Sequence, residues 1–320
     1  MKMLSIIMVS YNEKEYIEEA IQACLHQNGI EEIEIIIGDD GSSDGSSSVI
    51  EDFSREYPDT IKYFIMDRNP NEKIVPSVRV SNVIKRAISY AEGKYFLITS
   101  ADDVIIGDNR LVSQIQLLNN QPNICAVYCD YKIFWPDQTE KYLKVSSSLS
   151  RKVFWGCHYV HISCFVFRRC VIDNLLETLC DDTGVLFSIL KTGKVKHMDL
   201  VGFAYRQRDK SIVHEADKME LAILELLLYQ DVLNSGGFRI SSLSRFSKPL
   251  DFVYKNREFL KNTKYEKYKE IGRKKGNDIL SEMKELDDRV FKKIYYWILI
   301  RWALILRLFF RLCRKVEKAI

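Results

Sequence analysis

The N-terminal part of the chain alternates short apolar runs with segments of helical periodicity, and this alternation allows few folds. Apolar runs predict strands at residues 4–9, 33–37, 61–66, 95–99 and 124–129. Apolar residues three or four positions apart predict helices between them, at residues 13–27, 46–56, 77–91 and 111–119. Strands and helices at this spacing favour right-handed βαβ units. We therefore expect an α/β fold with a mostly parallel sheet.

The pattern changes along the second half of the chain. Residues 131–161 resemble loops and short strands, and residues 181–191 predict a short helix. Further strands are predicted at residues 161–167, 195–199 and 203–208. Beyond about His214, long helical periods and charged runs dominate. We expect an α/β domain over residues 1–214 and a helical extension over residues 215–320.

Charge and cysteine content narrow the partners and the compartment. The net charge of +3 on 320 residues is too small to indicate nucleic-acid binding. The eight cysteines are scattered, and several lie in apolar runs (Cys24, Cys125, Cys164), which favours a reducing cytosol. Residues 3–9 form too short an apolar run for a signal peptide. The composition therefore predicts a cytoplasmic location.

Polar groups follow the first, second and fourth predicted strands, at residues 10–13, 38–45 and 102–103. The carboxyl ends of strands in open α/β sheets border the crevice where ligands bind. Paired carboxylates such as Asp102 and Asp103 can hold a divalent cation, which in turn holds a diphosphate. Each group also fits a turn or a helix cap. No Gly-x-Gly-x-x-Gly or P-loop lysine motif occurs, which argues against a dinucleotide enzyme or a P-loop ATPase.

Taken together, residues 9–13, 39–45 and 100–103 resemble the motifs of the family-two inverting glycosyltransferases, and the resemblance covers about residues 3–214. It implies the GT-A fold, a Rossmann-like, mostly parallel sheet flanked by helices. It also implies a nucleotide-diphosphate sugar donor and Mn²⁺ or Mg²⁺ as cofactor. The chain departs from the family at Ser100, where many relatives have the first Asp of an Asp-x-Asp motif. The metal-binding role therefore rests on Asp103 and Asp102.

The resemblance also implies roles for individual donor-site residues. Asp39 would face the base, Tyr11 or Ser10 would line the base pocket, and Asp102 would lie near the sugar and ribose. The residues implied to bind the nucleotide sugar are Ser10, Tyr11, Asn12, Glu13, Asp39, Asp40, Asn82, Ser100, Asp102 and Arg206. Asn82 also fits a surface-exposed position on a helix.

An acidic pair marks the predicted acceptor side. Inverting transfer requires a general base that deprotonates the acceptor hydroxyl. Asp181 and Asp182 precede an apolar helix where the family usually has an acidic pair. The resemblance makes Asp182 the catalytic base and Asp181 its catalytic neighbour. Either residue also fits a helix cap, and the two roles are compatible.

Basic residues follow the last predicted strand of the α/β domain. Residues 205–208 resemble a Tyr-Arg segment of the family, in which a His often stands two residues after the Arg. This chain has Arg208 there, so Arg206, Arg208 or Lys210 would contact the diphosphate, or the segment is a solvated turn. His214 is out of register for a third metal ligand.

Four residues of zinc-binding types also occur close together, at Cys157, His158, His161 and Cys164. Their spacing is unlike the usual paired zinc motifs. A strand over residues 161–167 would place His161 and Cys164 on opposite faces. Both points argue against a zinc site.

Residues 294–313 are long and apolar enough to resemble a membrane helix. They contain Arg301, Arg307 and Arg311, and a central Arg costs about 2.5–3.5 kcal/mol, which disfavours spanning. On a helix, Lys292, Lys293, Arg307, Arg311 and Arg314 would share an arc of about 100°. Such a basic arc, together with aromatic residues such as Trp297 and Trp302, is typical of a helix lying at an anionic membrane surface. Packing on the catalytic domain or on a dimer partner is the alternative.

The sequence therefore predicts a cytoplasmic glycosyltransferase, peripheral at the inner face of the membrane. By resemblance, it acts on a glycan or lipid-linked acceptor in cell-surface polysaccharide or lipid-linked glycan synthesis. The alternatives are a catalytically degenerate sugar-nucleotide-binding or scaffold protein, and a nucleotidyltransferase. The sequence is compatible with a homo-oligomer and does not determine the oligomeric state.

Overall fold

The structure is a computed structural model. It describes residues 2–68, 76–145, 147, 149, 160–175, 181–208, 218–234, 249, 252–253 and 256. The chain divides into two compact units. The first comprises Met1–Ser147, Val160–Leu175 and Leu179–His214, and the second comprises Ser148–Tyr159, Leu176–Thr178 and Glu215–Ile320. The expected division into residues 1–214 and 215–320 stays a prediction.

One mixed sheet forms the centre of the first unit. Its strands are β1 Leu4–Ser10, β2 Ile33–Asp39, β3 Ile61–Ile65, β4 Tyr95–Ser100, β5 Val104–Ile105, β6 Ile124–Phe134, β7 Glu140–Leu143, β8 Phe165–Arg168 and β9 Lys194–Arg206. They lie in the order β3-β2-β1-β4-β8-β6-β9-β5, and β7 pairs with β6. The parallel pairings β1–β2, β1–β4, β2–β3 and β6–β9 contain most of the paired residues. The expected α/β fold with a mostly parallel sheet is confirmed.

Helices flank this sheet. They are α1 Ile17–Leu25, α2 Ser46–Glu56, α3 Pro76–Tyr90, α4 Arg110–Asn120, α5 Arg169–Ile172 and α6 Asp182–Thr192. Apolar side chains of α1, α2 and α4 form one core with alternate residues of β1, β2 and β4. Helix α3 packs closely on β2, because a Cβ atom at Gly38 would lie 2.4 Å from Val83. The parallel pairing of β1 with β2 and with β4 brings the carboxyl ends of these three strands together at one edge.

The strands beyond β4 differ from the expected pattern. One 13-residue strand, β9, replaces two predicted short strands, and β6 continues to Phe134. The pairing of β6 with β9 contains register shifts around Asp130, and these shifts disturb the two-residue alternation used to recognise strands. The strand predicted at residues 161–167 begins instead with a 3₁₀ turn, Ile162–Cys164, before β8.

In the second unit, the structure describes one long helix, α7 Lys218–Asn234, with buried apolar side chains such as Ile223 and Leu227. No helix in the described parts of the chain combines the length and apolar character needed to cross a membrane. The predicted membrane-surface helix at residues 294–313 lies outside the described residues.

Candidate active site

The loops after β1 and β2 are joined by hydrogen bonds. Asn12 adopts a left-handed conformation with φ of 53°, and its backbone N–H donates to Ser42 Oγ at 2.8 Å. The Ser43 N–H donates back to Asn12 Oδ1 at 2.9 Å. The Glu13 N–H donates to Ser46 Oγ at 2.9 Å. Asn12 therefore links the two loops that border the predicted donor site.

Asp39 lies at the end of β2 and is fully buried. Its carboxylate accepts hydrogen bonds from the Ser42 N–H, from Ser42 Oγ and from Ser47 Oγ. A carboxylate offers about four lone-pair positions, so about one of them remains for a ligand. Asp39 therefore shapes the loop before α2, and its predicted contact with a base stays a prediction.

Asp40 is surrounded by two arginines that sequence reasoning missed. Arg68 donates to Asp40 Oδ2 at 2.6 Å, and Arg79 Nε donates to both oxygens at 2.8 and 2.7 Å. The Arg68 guanidinium also lies over the Tyr11 ring, 3.4 Å from its centroid. Asp40 therefore positions Arg68 against Tyr11. Arg68 follows β3, and its place after a strand that ends at the same edge was the available signal.

The pair Asp102 and Asp103 follows β4 and is buried. Ser100 Oγ donates to Asp102 Oδ1 at 2.5 Å, so the residue that replaces the customary Asp supports its neighbour. The Arg206 N–H donates to Asp103 Oδ1 at 2.9 Å. The second oxygen of Asp103 points towards His161, at 3.8 Å from its Nε2.

Two arginines from the end of β9 and beyond contact this carboxylate pair. Arg206 Nε donates to the backbone oxygen of Asp102 at 2.9 Å, and its Nη2 pairs with Glu19. Arg208 Nη2 lies 2.5 Å from Asp102 Oδ2 and 3.1 Å from Glu13 Oε1. The basic segment is therefore bound to the acidic cluster in this structure and is not a solvated turn.

His161 is a further site residue that sequence reasoning considered only as a zinc ligand. Its ring stacks on Phe203, with centroids 4.7 Å apart, and its Nδ1 accepts from the Ser163 N–H at 3.3 Å. This contact assigns the ring proton to Nε2. Nε2 lies 3.8 Å from an oxygen of Asp103 and 3.8 Å from an oxygen of Asp182. Cys157 and His158 lie outside the described residues.

The acidic pair before α6 is divided between two positions. Asp181 is the N-cap, and its Oδ1 accepts from the Gly184 N–H at 3.0 Å. Asp182 is the first residue of α6, its side chain is 38% exposed, and its Oδ2 lies 3.8 Å from His161 Nε2. Asp182 can therefore meet a substrate hydroxyl, whereas Asp181 has the capping role.

Electrostatics at the site favour a cation. Burial raises the pKa of Asp103 well above its usual value, and the nearby charges of Asp102, Glu13 and Asp182 raise it further, against the Arg206 hydrogen bond. Burial and Asp102 likewise raise the pKa of Glu13, against the effect of Arg208. Carboxylates that disfavour their own ionisation in this way gain from a bound cation.

The carboxylate pair fits a divalent cation that is held by one or two protein carboxylates together with substrate phosphates. Within the described ranges, no three His, Cys, Asp or Glu side chains converge to enclose a metal ion. Mg²⁺ usually keeps several waters and is held by one or two carboxylates together with substrate phosphates. Asp103 and Asp102 suit that arrangement better than a protein cage. His214 and Lys210 lie outside the described residues.

Two predicted donor-site residues lie apart from these contacts. Ser10 ends β1, is fully buried, and its Oγ has no hydrogen-bond partner among the described residues. Asn82 is exposed on α3. Their roles stay predictions.

Several known proteins resemble this chain in sequence. The Mycobacterium tuberculosis protein Rv1520 is 24% identical over 170 residues, 52% of this chain, and the match covers 47% of Rv1520, about half its length. The uncharacterized glycosyltransferase RT0329 of Rickettsia typhi is 26% identical over 242 residues, 71% of this chain and 69% of RT0329. Bacillus subtilis GgaB, a minor teichoic acid biosynthesis protein, is 30% identical over 102 residues, 32% of this chain and 10% of GgaB.

Solved structures share the fold at low identity. S. aureus TarS residues 1–349, solved with UDP-GlcNAc, matches with a TM-score of 0.59 and 14% identity over 97% of this chain and 92% of that one. The mannosyltransferase PcManGT of Pyrobaculum calidifontis, solved with GDP-Man and Mn²⁺, matches with a TM-score of 0.52 and 14% identity. The match covers 95% of this chain and 86% of that one. These matches confirm the predicted GT-A fold.

The sequence also matches a family model. The model for glycosyl transferase family 2 matches residues 5–176, more than half of the chain. This range contains the loops after β1 and β2, the pair Asp102–Asp103 and His161. The chain belongs to glycosyl transferase family 2.

Proposed function

We propose that the protein transfers a sugar from a nucleotide-diphosphate donor to an acceptor hydroxyl, with inversion at the anomeric carbon and with the assistance of Mn²⁺ or Mg²⁺. The observation that carries this proposal is that one atom, His161 Nε2, lies 3.8 Å from an oxygen of Asp103 and 3.8 Å from an oxygen of Asp182. The two carboxylates are thus at most twice that distance apart. A cation held by Asp103 would act on the leaving diphosphate, and a base at Asp182 would act on the attacking hydroxyl of the same reaction.

The chemistry follows from these two carboxylates. When bound, the cation would stabilise the negative charge that develops on the leaving nucleoside diphosphate. Asp103 and Asp102 would hold it. Asp182 would accept the proton of the acceptor hydroxyl as that oxygen attacks the anomeric carbon. The Tyr11 ring and Arg68 would contact the base, Asp40 would hold Arg68 in place, and Asp39 would face the base.

The names of similar proteins support a class of product for this activity. GgaB is named for teichoic acid biosynthesis, and TarS and PcManGT were solved with nucleotide sugars. We infer a product of the cell-surface polysaccharide or lipid-linked glycan class. The acceptor is then a glycan or a lipid-linked glycan, and the protein works in the cytoplasm at the inner face of the membrane.

A donor screen tests the proposal. The full-length protein is incubated with a panel of UDP-, GDP- and dTDP-sugars and with Mn²⁺, Mg²⁺ or EDTA, and the released nucleoside diphosphate is measured. We expect release with one class of donor, dependent on the cation, and the product anomer determined by NMR should be inverted. Tight donor binding without release to water or to any glycan acceptor would favour the sugar-nucleotide-binding or scaffold alternative. Release of pyrophosphate from a nucleoside triphosphate would favour a nucleotidyltransferase.

A further inference from the structure

Arg208 connects two buried carboxylates that lie far apart in the sequence. Its Nη2 atom contacts both Asp102 Oδ2, at 2.5 Å, and Glu13 Oε1, at 3.1 Å. The other oxygen of Asp102 already accepts a hydrogen bond from Ser100. Both Asp102 oxygens therefore have protein partners, and one of these partners carries a full positive charge.

A divalent cation at Asp102 and Asp103 would compete with this guanidinium. Two positive charges cannot share one carboxylate oxygen without strong repulsion, because the surroundings are buried and screen charge poorly. Asp103 Oδ2 lies 3.8 Å from His161 Nε2, and no contact with an arginine is seen for it among the described residues. Even a cation held mainly there would be repelled by a guanidinium within hydrogen-bonding distance of the neighbouring carboxylate.

We propose that Arg208 exchanges partners when the donor binds: it leaves Asp102 as the divalent cation arrives there, and its guanidinium then pairs with the diphosphate of the nucleotide sugar. This inference rests on the proposed function and adds a second diphosphate-binding charge to it. A guanidinium suits this role because its planar array of donors matches two phosphate oxygens. The exchange also keeps the charge balanced, since the diphosphate replaces the carboxylate that the cation has taken.

The exchange makes a prediction of opposite sign for the two ligands. In Arg208→Gln, Mn²⁺ alone should bind about tenfold more tightly than to the wild type, because its competitor is gone. UDP and GDP are each titrated at saturating Mn²⁺. The nucleotide that the wild type prefers should bind about tenfold more weakly to this variant. Mn²⁺ binding is measured from the electron paramagnetic resonance signal of free Mn²⁺, and nucleotide binding by calorimetry.

Arg55→Gln is the matched control. Arg55 is exposed on α2 and pairs only with Glu51 and Asp52 among the described residues, so its loss should change neither affinity. If Arg208→Gln does not fold, as judged by thermal unfolding, Arg208→Lys replaces it. The Lys variant keeps the charge but loses the planar donor array, so nucleotide affinity should fall while Mn²⁺ affinity changes little.

Unchanged or weaker Mn²⁺ binding in Arg208→Gln would overturn the exchange, and so would unchanged nucleotide affinity in either variant. These readouts do not depend on turnover. If the wild type releases nucleoside diphosphate but Arg208→Gln shows no opposite shifts in affinity, the proposed function stands and the exchange is wrong. If Arg208→Gln shows the shifts but the wild type transfers no sugar, the exchange stands and the proposed function is wrong.

Discussion

His161 lies close to Asp182 in the candidate site, with its Nε2 atom 3.8 Å from Asp182 Oδ2. The same nitrogen atom lies 3.8 Å from Asp103 Oδ2. Burial lowers the pKa of His161, although the charges of Asp182 and Asp102 act in the opposite direction. One imidazole nitrogen therefore lies close to both the proposed metal-binding carboxylate and the proposed base.

Asp182→Asn tests the base. We expect kcat to fall by about 10²–10⁴-fold, the usual contribution of a positioned base. The nucleotide affinity should change little, because the amide keeps the size of the side chain. Turnover of the donor found in the screen and calorimetry with its nucleoside diphosphate measure the two effects.

Two variants accompany Asp182→Asn. Asp173→Asn removes an exposed carboxylate at the end of α5 and should change neither quantity. Asp181→Asn should cost much less activity than Asp182→Asn, since Asn is as good an N-cap as Asp. A collapse of nucleotide affinity in Asp182→Asn would show that Asp182 belongs to the donor site and not to the acceptor side.

Asp103→Asn tests the cation site. Because burial and like charges raise the pKa of Asp103, a neutral side chain should fold at least as well as the native one. We expect Mn²⁺ affinity to fall about tenfold or more and turnover to be lost, without a decrease in the unfolding temperature. Electron paramagnetic resonance measures the Mn²⁺ affinity, the donor assay measures turnover, and thermal unfolding gives the unfolding temperature.

The matched control for Asp103→Asn is Asp108→Asn, which neutralises an exposed carboxylate five residues further on. Normal Mn²⁺-dependent turnover in Asp103→Asn would remove Asp103 from the metal site.

Tyr11→Leu tests the base pocket. The Tyr11 ring lies under the Arg68 guanidinium, and Asp40 fixes that guanidinium in place. Loss of a stacking surface for a base costs about 1–3 kcal/mol, so the affinity for the nucleoside diphosphate should fall about tenfold. Tyr142→Leu, at an exposed position on β7, is the control. Equal affinities of both variants and the wild type would exclude Tyr11 from base binding.

The sequence predicted the part of the site that directly follows recognisable strands. The strands β1, β2 and β4 follow clear apolar runs, and polar residues end each of them, so their convergence follows from parallel pairing alone. The contact of Arg208 with Glu13 joins residues 195 positions apart, and no local pattern reveals such a pair. The role of His161 was missed for a related reason, since the carboxylates near it, Asp103 and Asp182, lie 58 and 21 positions away in the sequence.

Glu34→Gln tests how the sheet is held together away from the site. Glu34 is buried in β2, and its carboxylate accepts from Ser5 Oγ and the Glu92 N–H at 2.6 Å and from Lys62 at 3.0 Å. Burial acts against ionisation, but these hydrogen bonds outweigh it and lower the pKa of Glu34. The unfolded chain therefore binds the proton more tightly than the folded one.

This difference fixes the pH dependence. The stabilisation is fully present above the ordinary Glu pKa of about 4.3 and is lost as the pH falls through the lower folded value. Glu34→Gln should reduce the free energy of unfolding by about 1–3 kcal/mol near pH 7, and the difference from the wild type should shrink in acid. Urea unfolding at several pH values measures it, with Glu31→Gln at an exposed position as control. A difference that grows in acid would contradict the lowered pKa.

The predicted membrane-surface helix is tested by deletion of residues 289–320. Arg307, Arg311, Arg314, Lys292 and Lys293 share an arc of about 100° if residues 292–314 are helical, which would direct this charge towards anionic lipid headgroups. The full chain should therefore sediment with vesicles that contain anionic lipid and much less with zwitterionic vesicles. The deletion should abolish sedimentation and leave donor turnover on a water-soluble acceptor intact.

A triple variant separates membrane binding from packing. Arg307→Glu, Arg311→Glu and Arg314→Glu together keep the length and the apolar residues of the segment but reverse the charge of its arc. Each basic residue near an anionic surface contributes about 1 kcal/mol, so this variant should lose anionic-vesicle binding almost as fully as the deletion. If the variant still binds vesicles, charge is not what holds the protein there. If the deletion leaves the protein on vesicles, residues 289–320 are not the anchor. If the deletion instead changes the oligomeric state or lowers the unfolding temperature, the segment packs against protein.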